Sequence, residues 1–246
     1  SDPGQQRSHN EDAIFINDHG KFFLLADGMG GQRNGAQASS FVIESVARQL
    51  RPEIIDKQLE DITESEGVPT EVSGLCSVVD NAVSQANHIL YQTNRRESES
   101  KYGFMGTTLA GIYLASCGYI ISFHIGDSRT YRLRGGQLTQ MTKDHSLYQE
   151  WFDHGQAGKQ PRKNILTQAI GFKEYVQPDI HCGRYLKNDL YLLCSDGLTN
   201  MLPDRRIEHI LTQGFNVGVC ADILLGEAND AGGLDNISVI LCHIVS

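Results

Sequence analysis

The sequence predicts an α+β fold in which antiparallel sheets carry helices on their outer faces. Predicted strands and helices come in blocks rather than in strict β-α-β alternation. Two predicted hairpins, with turns at Ser116-Cys117-Gly118 and Gly135-Gly136, also favour antiparallel pairing. The sequence shows no internal repeat and no linker, so we expect a single domain over residues 1–246.

Hydrophobic periodicity locates the individual elements. Apolar residues at helical spacing predict helices, and short apolar runs bounded by Gly, Asp or Pro predict strands. The predicted helices are about 35–50, 75–96, 204–212 and 217–228. The predicted strands are about 13–17, 22–26, 106–115, 118–126, 129–134, 137–142, 176–182, 189–194 and 236–245. We expect a short helix and a loop at 53–70, an exposed loop at 97–101 and irregular structure at 147–164.

Four aspartates stand at the ends of apolar strands. Asp27 and Asp196 each end an apolar run and precede a glycine, Asp127 ends another run, and Asp235 lies just before the last strand. An Asp-Gly pair alone is typical of a tight turn with positive φ. Because the pattern recurs, we expect the four carboxylates to share one rim. Crowded carboxylates require protons or cations to neutralise them, and oxygen ligands favour magnesium or manganese.

Composition excludes several classes of protein. The net charge of −9 and the pI near 5.4 argue against a general nucleic-acid binder. The six cysteines form no C-x-x-C pair and lie mostly in apolar runs, which predicts free thiols and a reducing cytoplasm. No apolar run is long enough for a membrane span, and we expect neither a signal peptide nor a membrane partner.

Eight short motifs follow one another in a fixed order along nearly the whole chain. The first four are Arg7-x-x-Asn10-Glu11-Asp12, Ala26-Asp27-Gly28-Met29-Gly30-Gly31, Met105-Gly106-Thr107-Thr108 and Gly126-Asp127-Ser128-Arg129. The others are Asp144-His145-Ser146, Leu166-Thr167-Gln168-Ala169-Ile170-Gly171, Ser195-Asp196-Gly197-Leu198 and Gly233-x-Asp235-Asn236-Ile237-Ser238. Each motif alone is weak, but the set in this order is highly specific. It resembles the motifs of the metal-dependent type 2C serine/threonine protein phosphatases in their compact bacterial form.

The resemblance implies a four-layer αββα sandwich, with two antiparallel sheets packed face to face and flanked by helices. It also implies two Mn²⁺ or Mg²⁺ ions at one edge of the sandwich. Asp27 would bridge both ions and the Gly28 carbonyl would help to hold one, whereas Asp196 and Asp235 would bind the other. Asp127, together with Asp196, matches the site of a third, weaker ion.

Further roles follow from the same resemblance. Glu11 and Asp12 match acidic positions that hold metal-bound waters, and Arg7 matches the phosphate-binding arginine. The catalytic set implied by the family is Arg7, Asp27, Asp196 and Asp235. Relatives carry a histidine, a candidate general acid, at the position of Met29 or of Gln32. The proton donor is therefore open here, and a metal-bound water can serve.

The implied activity is hydrolysis of phosphoserine and phosphothreonine in the substrates of a Ser/Thr kinase. A metal-bridging water would attack, without a phosphoenzyme. Residues 147–164 align with the mobile flap of the family. We expect a cytoplasmic monomer that binds neither nucleic acid nor membrane.

Two alternatives remain open at this point. One is a non-catalytic phosphoprotein-binding pseudophosphatase on the same fold, which the presence of every matching carboxylate disfavours. The other is a metal-dependent phosphodiesterase or nuclease, which the acidic net charge disfavours.

Overall fold

The computed structural model describes residues 1–30, 33–51, 54–55, 69–97 and 104–245. Most of residues 53–70 and 97–101, together with Gly31 and Gln32, lie outside these ranges. The predictions made for those positions stay predictions.

The helices confirm the hydrophobic periodicity and add two elements that it did not predict. They are α1 (Arg33–Gln49), α2 (Thr70–Glu97), α3 (Leu147–Asp153), α4 (Asp196–Thr199), α5 (Asp204–Leu211) and α6 (Val217–Asp230). The expectation of irregular structure throughout 147–164 is wrong for its first part, which forms α3. The Ser146 side chain caps this helix by accepting from the Gln149 backbone N–H at 3.2 Å. The role of residues 147–164 as a flap stays a prediction.

The strands form two antiparallel sheets. They are β1 (Asp12–Ile16), β2 (Phe22–Met29), β3 (Gly106–Thr107), β4 (Leu109–Leu114), β5 (Tyr119–Ile125), β6 (Arg129–Arg134), β7 (Gln137–Gln140), β8 (Asp179–Arg184), β9 (Leu190–Cys194) and β10 (Val239–His243). One sheet has the order β1-β2-β4-β5-β8, with β3 paired to β2, and the other has the order β10-β9-β6-β7. Strand β8 begins three residues later than predicted.

The two sheets pack face to face, which confirms the α+β prediction. Alternate residues of β2 point to opposite sides of the sheet. Leu25 belongs to the core between the sheets, where residues such as Leu193 and Ile240 of the second sheet meet it. Leu24 faces the other way, into a core that α1 and α2 cover. Helices α5 and α6 pack in the same way on the outer face of the second sheet, giving four layers.

The strand ends of both sheets converge where the aspartates lie. Asp27 is near the end of β2, Asp127 lies between β5 of one sheet and β6 of the other, and Asp196 follows β9. The face-to-face packing therefore brings these positions to one edge. No helix in the described part of the chain has the length and apolar content that a membrane crossing requires.

Candidate active site

A cavity of about 240 Å³ at this edge gathers most of the predicted site residues. Its lining includes Arg7, Glu11, Asp27, Gly28, Asp127, Asp196 and Asp235. The remaining predicted ligand, Asp12, is not part of the lining and lies on β1, directly opposite Asp27 on β2. The lining also contains Met29, Gly30, Thr108, Asn164, Leu166 and Asn236, to which the sequence analysis assigned no role in metal or phosphate binding.

Two threonines fix the backbone of Asp27. The Asp27 N–H donates to Thr108 Oγ1 at 2.9 Å, and its carbonyl accepts from the Thr107 hydroxyl at 2.8 Å and the Thr108 N–H at 2.9 Å. Thr108 Oγ1 also lies 2.6 Å from the Ser128 hydroxyl. These hydrogen bonds hold the backbone from which the Asp27 carboxylate extends, and such support helps to position a metal ligand. The Met105-Gly106-Thr107-Thr108 motif was the sequence signal for this support.

The glycines that follow Asp27 and Asp196 let other backbone segments come close, and they are not there to form tight turns. Gly28 lies inside β2, without positive φ, so the tight turn that an Asp-Gly pair alone suggests is wrong. A Cβ on Gly28 would overlap the Gly35 carbonyl and would lie 2.6 Å from the Glu11 carbonyl oxygen. Gly197 belongs to the single turn of α4, and a Cβ there would overlap the Asn236 carbonyl. Both glycines let the chain segments of the site meet.

The Asp12 carboxylate has one oxygen that is hydrogen-bonded and one without a partner. Its Oδ2 accepts from the Ser195 hydroxyl at 2.8 Å, and Ser195 Oγ in turn accepts from the Ser238 N–H at 3.0 Å. Its Oδ1 is buried and has no hydrogen-bond partner among the described residues. A buried carboxylate oxygen without a partner is costly unless a proton, water or cation satisfies it.

Burial and mutual repulsion raise the pKa of four half-buried aspartates at the site, Asp12, Asp27, Asp127 and Asp196. Burial is the main cause in every case, followed by the charge of a neighbouring carboxylate for Asp27 and Asp127. The pKa of Asp12 is raised to about 6 and that of Asp127 to about 8, while that of Asp27 lies well above its usual range. The pKa of Asp196 is raised as well. Without a cation, these carboxyl groups hold protons at pH values where an exposed aspartate is ionised.

The donor set fits hard divalent cations. The groups converging here are carboxylates and backbone carbonyls, which Mg²⁺ and Mn²⁺ prefer, and Asp12 Oδ1 supplies a buried oxygen without a partner. Bound cations would satisfy that oxygen and relieve the repulsion that raises these pKa values.

Arg7 is paired with Asp235 at the rim. Its Nη2 donates to Asp235 Oδ2 at 2.7 Å, and about half of the Arg7 side chain is exposed. Partial burial lowers the pKa of Arg7, but the charge and hydrogen bond of Asp235 more than offset this, so the pKa is raised. The guanidinium is therefore held beside the carboxylates with donors left to face an anion.

Asn236 ties the N-terminal segment to the loop before β10. Its Oδ1 accepts from the Glu11 N–H at 2.9 Å, and its Nδ2 donates to the carbonyls of Pro3 and His9, each at 2.9 Å. The Asn236 N–H also donates to Asp235 Oδ1 at 2.8 Å. This one side chain positions the segments that carry Glu11 and Asp235, and its signal in the sequence was the Asp235-Asn236 motif.

His145 holds the turn that carries Asp127. The Gly126 N–H donates to His145 Nδ1 at 3.1 Å, and the His145 N–H donates to the Gly126 carbonyl at 2.9 Å.

The potential ligand atoms of His124, His145 and Asp179 all lie within 4.8 Å of one another. Because Nδ1 of His145 accepts a hydrogen bond, its Nε2 carries the proton and is not free to bind a metal.

Comparison with known proteins places this chain in a family. A model of the family described as "Protein phosphatase 2C" matches residues 4–219. The chain is 35% identical over 249 residues to the serine/threonine phosphatase stp of Listeria monocytogenes, covering 98% of this chain and 92% of that protein.

Solved structures agree. The Mycobacterium tuberculosis serine/threonine phosphatase PstP/Ppp superposes with a TM-score of 0.82 at 32% identity, covering 100% of this chain and 96% of that one. The catalytic domain of PstP in complex with two manganese ions gives a TM-score of 0.80, with the same identity and coverage. This chain belongs to the protein phosphatase 2C family.

Proposed function

We propose that the protein removes phosphate from phosphoserine and phosphothreonine in other proteins, using two divalent cations held by Asp27, Gly28, Asp196 and Asp235. The observation that carries this proposal is the convergence of these ligands with Arg7 at one cavity. Family membership supports metal-dependent phosphatase chemistry, and the two manganese ions in the PstP structure support the proposed number of cations.

The chemistry needs both the metal and the surrounding residues. When bound, two such ions lower the pKa of a water and neutralise charge on phosphoryl oxygens. Phosphate monoesters are among the slowest bonds to hydrolyse without a catalyst, so strong electrostatic stabilisation is required.

The protein's own residues have distinct tasks in this proposal. The backbone of Asp27 is held by Thr107 and Thr108, so the strand position that carries its carboxylate is set before metal or substrate arrives. Arg7 presents planar donors to the phosphoryl oxygens, because its half-exposed guanidinium keeps N–H groups beyond the one bonded to Asp235.

The lining of the cavity favours direct attack by water over a covalent intermediate. Among the described residues that line it, none is Cys, Ser or His. The Thr108 hydroxyl is engaged by the Asp27 N–H and by Ser128, so it is not placed to act as a nucleophile. Direct hydrolysis, without a phosphoenzyme, therefore fits these residues. The leaving-group proton donor stays open, because Met29 has no acidic proton and Gln32 lies outside the described residues.

In this proposal, Asp127 gives the site a third metal-binding position, which binds its ion more weakly than the other two. It lines the same cavity as Asp196. With only two protein carboxylates, such a position must complete its coordination with water and should be readily emptied.

We also propose that the protein acts as a monomer in the cytoplasm on the substrates of a Ser/Thr kinase. Six cysteines that are free rather than disulfide-bonded suit a reducing compartment.

Phosphate release from two kinds of substrate tests the proposal. Metal-loaded wild-type protein should release phosphate from a phosphothreonine peptide and should cleave bis-p-nitrophenyl phosphate poorly. The Asp235→Asn variant should lose the first activity and still fold. Binding of the peptide without phosphate release would support the pseudophosphatase, and efficient diester cleavage would support the phosphodiesterase; either result would overturn the proposal.

A further inference from the structure

Two cysteines far apart in the sequence meet on the surface, outside the active site. The Sγ atoms of Cys76 on α2 and Cys182 on β8 lie 3.0 Å apart, although the residues are 106 positions apart in the chain. Cys182 is exposed and Cys76 is partly exposed, so small reagents can reach the pair.

The packing of α2 on the first sheet explains why these thiols face each other. Cys76 packs against the core that α2 covers. Ile180 packs against the same core from β8, and Cys182, two residues further along the strand, points to the same side of the sheet. Strand β8 pairs only with β5 among the described strands, so it forms the edge of this sheet.

Other contacts between α2 and the segment before β8 hold the two cysteines close to each other. Asn87 of α2 donates to the carbonyls of Lys173 and Glu174, each at 3.0 Å, and accepts from the Gly171 N–H at 2.9 Å. The two cysteines therefore belong to elements that are already fixed against each other. A disulfide needs its two sulfurs about 2.05 Å apart, so small side-chain rotations that bring the sulfurs about 1 Å closer suffice.

The two thiols also differ in acidity. The two thiols share a hydrogen bond in which either sulfur can be the donor, and this bond is the main cause that lowers the pKa of Cys182 to about 7. The pKa of Cys76 is raised, chiefly by the same hydrogen bond. Since the thiolate is the nucleophile in thiol oxidation and Cys182 is the more exposed of the two cysteines, Cys182 is the residue that reacts first.

We propose that Cys76 and Cys182 are a reversible oxidation site, at which a peroxide converts the two thiols into a disulfide linking α2 to β8. The Cys182 thiolate attacks one peroxide oxygen, the O–O bond breaks, and sulfenic acid and hydroxide form. The Cys76 thiol then attacks the sulfenic sulfur, the S–O bond breaks, and water leaves. Overall, two thiols and one hydrogen peroxide give one disulfide and two waters, and a dithiol reductant reverses the change.

The disulfide should stabilise the fold. It would close a loop of about one hundred residues, and the model of reduced chain entropy in the unfolded state predicts a rise in Tm on the order of 10 °C. The attachment of the edge strand β8 to α2 would become covalent.

Thiol counting on the full chain tests the proposal. Purified protein is treated with hydrogen peroxide near neutral pH, denatured, and its free thiols are counted by maleimide labelling and mass spectrometry. Wild-type protein should lose two thiols, and a disulfide-linked peptide should join residues 76 and 182. The Cys182→Ser variant should form no such link. The Cys117→Ser variant is the matched control, because Cys117 is also exposed, and it should behave as wild type.

The melting temperature gives a second readout that does not depend on a variant. Oxidised wild-type protein should melt well above its reduced form, and dithiothreitol should restore the lower Tm. Six free thiols after oxidation, a link through another cysteine, or a disulfide between two molecules would overturn the proposal. Equal Tm values for reduced and 76–182-linked protein would overturn the stabilising role.

Discussion

Asp12 and Asp27 lie directly opposite each other on the antiparallel strands β1 and β2. Paired positions point to the same side of a sheet, and like charges placed opposite each other are destabilising. Both residues are half-buried, and the charge of Asp12 is the second cause, after desolvation, of the raised pKa of Asp27. This pairing has no evident benefit for the fold alone. It is understandable if cations occupy the space that the two carboxylates share.

The metal-free protein should therefore lose stability as the pH rises. A carboxyl group whose folded pKa is raised stabilises the fold below its unfolded pKa, and this contribution is lost as the pH rises through the folded pKa. For Asp12 and Asp127, with folded pKa values of about 6 and about 8, the loss falls between about pH 4 and pH 8. In a chelator, Tm should fall by about 5–10 °C from pH 6 to pH 8.5.

Saturating Mn²⁺ is the control for this measurement. Bound cations favour the ionised carboxylates, so most of the fall in Tm should disappear. A metal-free protein whose Tm is level or rises over this interval would contradict the description of the site as a cluster of repelling carboxylates.

Gly197 should not tolerate a side chain. Because a Cβ would overlap the Asn236 carbonyl, Gly197→Ala must push apart the segments carrying Asp196 and Asp235. We expect a loss of about 1–3 kcal/mol in the free energy of unfolding, measured in urea, and weaker Mn²⁺ binding. Gly226→Ala, inside α6 with open space around the Cβ, should instead stabilise by about 0.5–1 kcal/mol. Equal stability of the two variants would show that the contact at Gly197 can relax.

Arg7 should act on substrate rather than on metal. Removing charge-assisted hydrogen bonds worth about 1.5–3 kcal/mol should lower kcat/KM about 10- to 150-fold in Arg7→Ala. Mn²⁺ affinity should not fall, because the substitution removes a positive charge beside Asp235. Arg205→Ala, at an exposed position on α5, is the control. Unchanged turnover of a phosphothreonine peptide by Arg7→Ala would show that Arg7 only forms a structural ion pair with Asp235.

Asp127 should set the metal concentration needed for activity. Asp127→Asn keeps the shape of the side chain but removes its charge, so we expect a higher Mn²⁺ concentration at half-maximal phosphate release. Two ions should still bind, because Asp27, Asp196 and Asp235 are intact. Asp222→Asn, at an exposed position on α6, should match wild type. If Asp127→Asn matches wild type as well, the aspartate only shapes the turn that His145 holds.

The sequence was most informative where chemistry and periodicity coincide. The aspartates at strand ends predicted a shared rim, and apolar residues at helical spacing predicted the helix at about 75–96, which is the core-covering α2. Sequence could not show that Gly28 and Gly197 serve backbone contact, because that need arises only when distant segments meet. The α3 helix was missed because its seven residues bury no side chain, so no apolar stripe marks it.

Calorimetric titration of the metal-stripped protein with Mn²⁺ tests the central claim most directly. Wild-type protein should bind two ions tightly and a third more weakly. Asp27→Asn should lose both tight ions, because we propose Asp27 as the ligand that both ions share, and should release no phosphate from a phosphothreonine peptide. Two ions bound by Asp27→Asn with wild-type affinity would contradict the two-metal centre proposed here.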